Sequence, residues 1–133
     1  AREVLSDLLK RRSQVEESYG ARWLYLTARK MGEDGVAAVK PYMPVGSRPA
    51  WPYPVLQSLT GNLSYDEAVR AATDAGKPDP AKLCELYYFS GMKELLAGDA
   101  RSAKAYFKQS VGTGIVEYME YGFARHQLLL LDK

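Results

Sequence analysis

The chain has 133 residues, of which 47% are hydrophobic and 26% are charged, so it has the size and balance of one globular domain and not of a disordered segment. Eighteen basic residues against sixteen acidic ones leave a net charge of +2, too small a bias to indicate nucleic-acid binding. Cys84 is the only cysteine, which excludes an intramolecular disulfide and a cysteine-based zinc site. No apolar run is long enough to span a membrane, so we predict no direct membrane insertion.

The sequence of the N-terminal third predicts an amphipathic helix over residues 2–12, followed by a helical hairpin over about 13–42. Ser13 and Glu16 have the spacing of a capping box, which opens the first helix of this hairpin. Pro41 ends the second helix, because proline cannot continue a helix from within.

A proline-rich segment over residues 41–54 contains Trp51 and Tyr53. One interpretation is an exposed recognition segment. The other is an ordered connection whose aromatic side chains fill the groove between hairpins, and we favour it because these side chains bury large areas. A second hairpin is predicted over about 50–75, with a helix that begins at a capping box and reaches about Asp74.

The hairpin over about 80–113 carries the strongest signals. Asp79 is a natural N-cap for its first helix, and a tight turn at residues 97–100 leads into its second. Gly91 and Ala103 are small, so the two helices are expected to approach closely, with Phe107 at one end of the contact. A closing helix is predicted over about 115–131.

The order Tyr87-x2-Ser90-Gly91-x2-Glu94 followed by Ala103-x3-Phe107 resembles the tetratricopeptide repeat (TPR) signature. Alanines 37, 68 and 103 recur at intervals near the ~34-residue period of that family. The predicted fold is therefore all-α: one domain over residues 1–133, with TPR-like helical hairpins stacked as a short right-handed solenoid and a closing C-terminal helix.

The order of features from Trp23 onward also resembles the C-terminal half of NlpI-type bacterial TPR lipoproteins. The matching segments are residues 23–26, 51–62, 84–107 and 116–124. The resemblance implies a non-catalytic helical adaptor that forms homodimers and holds hydrolases or proteases of the cell envelope. It also implies a periplasmic or membrane-associated location, although a cytoplasmic one stays open.

The leading functional hypothesis is a protein–protein interaction adaptor that binds a peptide or protein in a concave groove. TPR geometry places the first helix of each hairpin on the inner wall. Such a groove would be cationic at one end and apolar at the other, which suits a peptide with an acidic group. The alternative for Tyr88, Met92 and Leu95 is that they belong to the core shared with the last helix. The predicted groove residues are Tyr19, Arg22, Leu26, Arg29, Lys30, Glu85, Tyr88, Met92 and Leu95.

A second hypothesis is a homo-oligomerisation element, because residues 128–131 make the closing helix apolar all round. The self-association candidates are Phe123, Leu128 and Leu131. A third, less favoured class is an enzyme or small-ligand binder with a deep pocket that holds His126 or paired carboxylates. A lone histidine and a distant Cys84 form neither a metal set nor a nucleophile pair, so we predict no catalytic residue, no cofactor and no metal.

Overall fold

In a computed structural model, the described residues are 17–43 and 50–132. Within them lie seven α-helices, one short 3-10 helix at Lys40–Tyr42 and one two-stranded sheet, so the all-α class is confirmed. The predicted helix over 2–12 and the capping box at Ser13 and Glu16 lie outside these residues. The helices are α1 (helical throughout 17–30), α2 (Gly35–Val39), α3 (Tyr53–Leu59), α4 (Tyr65–Ala71), α5 (Pro80–Leu96), α6 (Ala100–Gly112) and α7 (Met119–Leu131).

The contact between α1 and α2 depends on a glycine. Asp34 caps α2, and its Oδ1 accepts hydrogen bonds from the backbone N–H groups of Val36 and Ala37 at 3.0 and 3.2 Å. A Cβ atom at Gly35 would lie 2.8 Å from ring carbons of Tyr25, so only glycine allows α2 to approach the α1 aromatic this closely.

Residues 51–54 of the proline-rich segment pack into the protein, as the favoured interpretation predicts, whereas Pro41, Tyr42 and Ala50 are exposed. Tyr53 and the first turns of α3 are buried, and Val55, Leu56 and Leu59 belong to the main hydrophobic core. Trp51 is half-buried and packs against the same core.

The second helix of the middle hairpin is shorter than predicted. Ser64 caps α4 by accepting the N–H of Glu67, as the capping box requires. The helix ends at Ala71, however, and Thr73–Asp74 (β1) pairs antiparallel with Lys77–Pro78 (β2). Two consecutive residues with positive φ, Ala75 and Gly76, form the turn, a geometry that joins strands tightly.

The predicted contact within the α5–α6 hairpin is present, but its centre differs. Asp79 caps α5 and Asp99 caps α6, each by accepting a backbone N–H at 3.0 Å. A Cβ atom at Gly91 would lie 2.6 Å from a ring carbon of Phe107, so this ring covers the glycine instead of closing an end of the interface. Near the other end, Ser110 Oγ donates to the Cys84 carbonyl at 2.9 Å.

The closing helix begins four residues later than predicted. Residues 115–118 form a turn after Gly114, which has a positive φ, and α7 starts at Met119. The helix packs against α5 and α6, and Ala124 at its centre is fully buried.

Candidate interaction surface

A buried ionic cluster joins α1, α5 and α7. Arg22 Nη1 lies 3.3 Å from Glu85 Oε2 and 3.6 Å from Glu120 Oε1, and all three side chains are at most 7% exposed. Trp51 Nε1 donates to Glu85 Oε2 at 2.9 Å. The Arg22 guanidinium therefore pairs with carboxylates from two helices, α5 and α7. The hydrogen bond from Trp51 connects the segment before α3 to the same cluster.

Burial sets the electrostatics of this cluster. Desolvation raises the pKa of the Glu85 carboxyl and lowers the pKa of the Arg22 guanidinium, and each group opposes the shift of the other. The guanidinium carbon lies 4.5 Å from the ring centroid of Phe89 and 4.8 Å from that of Tyr19, so aromatic faces replace part of its hydration.

An aromatic cluster lies beside the ionic one. The Trp23 ring is 5.9 Å from that of Tyr88, 4.9 Å from that of Phe89 and 5.7 Å from that of Phe123. Tyr88 and Phe123 are 6.0 Å apart. Arg22 pairs with Glu85 on α5 and Glu120 on α7, and Trp23 contacts the residue three positions further on in each helix, Tyr88 and Phe123. This shared order indicates that α5 and α7 run in the same direction.

These contacts correct the groove prediction. Arg22 of the first hairpin contacts Glu85 of the third, so the two helices touch and leave no open wall at this point. The expectation of an exposed wall is wrong for Arg22, Leu26 and Glu85, whose side chains are buried. Tyr88 and Met92 are buried too, as the core alternative predicts.

Four members of the predicted groove keep accessible surface. Tyr19 and Lys30 are exposed, and Arg29 and Leu95 are partly buried. Their role in binding an acidic peptide stays a prediction.

The largest apolar exposure that we find on a single helix is on α7. We define the α7 seam as Met119, Phe123, His126 and Leu130, which are spaced by four, three and four residues and so share one face. Met119 is 63% exposed, Phe123 44% and Leu130 48%, and His126 is also exposed. None of the four carries a carboxylate, an ammonium or a guanidinium group.

The seam only partly overlaps the predicted self-association residues. Phe123 belongs to it, whereas Leu128 and Leu131 are partly buried and pack against the core. The predicted interface run 128–131 includes Leu130, but sequence reasoning missed Met119 as a seam member. The signal that could have found Met119 is its heptad-like spacing from Phe123, His126 and Leu130.

A cleft of about 270 Å³ lies between the α3–α4 connection and the α5–α6 hairpin. Tyr65 and Tyr106 stack edge-on in its wall with centroids 5.2 Å apart. Lys93, also in the wall, donates to the Ser58 carbonyl at 3.2 Å. Its lining residues include one carboxylate, Glu94, and not His126, so this cleft is not the pocket with His126 or paired carboxylates that the enzyme or small-ligand hypothesis requires.

Across residues 17–43 and 50–132, no group of three or more His, Cys, Asp or Glu side chains is arranged to hold a metal ion. In the same residues, no helix combines the length and apolarity needed to cross a membrane. No family model and no solved structure matches this chain.

Proposed function

We propose that this chain is a non-catalytic protein–protein interaction module that binds its partner through the α7 seam. The observation that carries the proposal is the exposure of Met119, Phe123 and Leu130 on one uncharged helix face. Contiguous apolar surface of this kind marks interaction sites in soluble proteins. A helix with such a stripe is suited to pack against a second helix or an apolar groove.

Packing against the core supports the seam as a rigid surface. Phe123 rests on Trp23 and Tyr88, and α7 is held to α1 by the Glu120–Arg22 ion pair. Rigid side chains lose little conformational freedom when a partner binds, so less of the binding free energy is spent on ordering.

The TPR-like hairpins are, in this proposal, the scaffold that presents the seam. The predicted right-handed solenoid and the likeness to NlpI-type lipoproteins belong to the same proposal, and they would make the partner a hydrolase or protease of the cell envelope. In this proposal the α7 seam, and not the concave groove, is the binding site, because five of the predicted groove residues are buried.

The test is affinity capture with three forms of the protein. The seam variant carries Phe123→Glu and Leu130→Glu, and the control carries Ala105→Glu and Gln109→Glu, which add the same charge to an exposed face of α6. Each form is immobilised on a support at low density and incubated with an extract of the cells that make it. Circular dichroism verifies that each form is folded. We expect proteins that the wild type and control retain and the seam variant loses. Identical captured sets from all three forms would contradict binding through the seam.

A further inference from the structure

The cleft between the α3–α4 connection and the α5–α6 hairpin contains two opposite charges. Lys93 and Glu94 are adjacent in α5, both line the cleft, and both are partly buried. The Lys93 ammonium donates one of its three hydrogens to the Ser58 carbonyl at 3.2 Å, which leaves two for another acceptor. Within residues 17–43 and 50–132, the Glu94 carboxylate takes part in no ion pair or hydrogen bond. A cation and an anion with unused hydrogen-bonding capacity therefore line the same cleft.

Two tyrosine rings provide the apolar part of the cleft. Tyr65 and Tyr106 contact each other edge-on and keep accessible surface, and Tyr65 also packs against the main core. Burial raises the pKa of both phenols, and the carboxylates of Glu94 and Asp66 add to the increase at Tyr106. Both phenols are therefore uncharged near neutral pH. Their rings are suited to pack against a further aromatic ring and to attract an ammonium group.

A buried hydroxyl group belongs to the same lining. Ser90 is 8% exposed, and its hydroxyl has no hydrogen-bond partner in the part of the chain that the structure describes. A polar group that is buried without a partner has lost its hydration and gained nothing in return. A ligand with a donor or an acceptor near Ser90 would restore that hydrogen bond.

We propose that this cleft binds a small zwitterion, an α-amino acid with an aromatic side chain. Its carboxylate accepts hydrogen bonds from Lys93, its ammonium group donates to Glu94, and its ring packs against Tyr65 and Tyr106. A protein chain carries its ammonium and carboxylate groups at opposite ends, so the paired charges of the cleft suit a free amino acid better than the terminus of a partner protein.

The size and chemistry of the cleft agree with this ligand. Its volume of about 270 Å³ lies just below the usual range for drug-sized ligands, which suits a smaller molecule. The lining has neither His126 nor paired carboxylates, so we assign it binding and no catalysis. None of the four α7 seam residues lines the cleft, so the site is a second one beyond the proposed interaction function.

The first test titrates the protein with four probes and follows two-dimensional amide NMR spectra. The probes are phenylalanine, phenylalaninamide without the carboxylate, N-acetylphenylalanine without the ammonium group, and N-acetylphenylalaninamide without both. We expect phenylalanine to bind at least about tenfold more tightly than either singly blocked probe, because each loses a hydrogen bond between charged groups. Equal affinity for phenylalanine and a singly blocked probe would overturn the proposal, as would no binding of phenylalanine up to its solubility limit.

The second test assigns each charge to its residue. Lys93→Met should abolish the preference for phenylalanine over phenylalaninamide, and Glu94→Gln should abolish the preference over N-acetylphenylalanine. Lys93→Arg keeps the charge and should keep the preference. Lys108→Met and Glu33→Gln remove the same charges at exposed positions and should bind like the wild type. Circular dichroism verifies that each variant is folded. Preferences that survive in both cleft variants would place the binding elsewhere and overturn the proposal.

The probe titrations and the capture experiment separate the two proposals. Phe123→Glu/Leu130→Glu should bind phenylalanine as tightly as the wild type, and Glu94→Gln should capture the same proteins as the wild type. Loss of phenylalanine recognition with seam-dependent capture intact would refute the cleft alone. The reverse result would refute the seam alone.

Discussion

Arg22 in α1 contacts Glu85 in α5 at 3.3 Å, although the two residues are 63 positions apart in the chain. Both were predicted to line the open wall of a groove, one at its cationic end and one at its apolar end. Because the two side chains contact each other, no open wall exists at this point, and both predicted binding residues are buried in the interior.

Removing Arg22 should strongly destabilise the fold. Arg22→Met keeps the aliphatic stem but leaves Glu85 and Glu120 buried without their cation, and breaking a buried ion pair in this way costs about 3–5 kcal/mol. Urea unfolding measures the change, with Arg125→Met at an exposed position of α7 as the control. Adding Glu85→Gln to Arg22→Met should recover part of the loss, because one unpaired charge is removed while an acceptor for Trp51 remains. A loss below 1 kcal/mol would show that the ion pair contributes little.

Stability should depend on pH through Glu85. Desolvation raises the pKa of its carboxyl above the ordinary value of 4.5, and Glu120 and Asp79 act in the same direction against Arg22 and Trp51. The contribution of a group with a raised folded-state pKa is fully present below 4.5 and is lost as the pH rises through the folded-state value. The wild type should therefore lose stability relative to Glu85→Gln as the pH rises above 4.5.

Denaturant unfolding of both proteins at a series of pH values measures this difference, and Glu33→Gln controls for the loss of an exposed carboxylate. A difference between wild type and Glu85→Gln that stays constant, or that changes in the opposite direction, would contradict the raised pKa.

Gly91 should not tolerate a side chain. In Gly91→Ala the new methyl group would lie 2.6 Å from the Phe107 ring, and such overpacking costs about 1–3 kcal/mol even though alanine is the better helix former. Gly20→Ala in α1 is the matched control, because its Cβ meets no atom within 4 Å, and it should be neutral or stabilising. Combining Gly91→Ala with Phe107→Leu should relieve the clash. If Gly91→Ala and Gly20→Ala unfold at the same denaturant concentration, the close contact is refuted.

Two buried serines should respond differently to alanine. Ser110 Oγ donates to the Cys84 carbonyl, so Ser110→Ala loses a buried hydrogen bond worth about 1 kcal/mol and leaves the carbonyl with one partner fewer. Ser18 Oγ is also fully buried but has no hydrogen-bond partner in the described part of the chain. Ser18→Ala should therefore be neutral or stabilising in the same unfolding measurement. Equal losses for the two variants would contradict this assignment.

Local features of the fold could be predicted from the sequence because their causes are local. Ser64 and Asp79 cap helices where the capping patterns place them, since the donors that they satisfy are only two or three residues away. The errors at the ends of α4 and α7 also have local causes. A turn with two positive φ values stops α4 short of Asp74, and Gly114 together with a turn delays α7 to Met119.

The sequence by itself determined the all-α class and the starts of α4 and α5, because these follow from periodicity and short-range capping. Only the tertiary structure decided what covers each face. Periodicity places Arg22 and Glu85 on inner faces, but the distance between those faces depends on packing across 63 residues of chain. The same packing brings Phe123 against Trp23 and leaves the α7 seam open, and no local pattern along the chain specifies which apolar face stays uncovered.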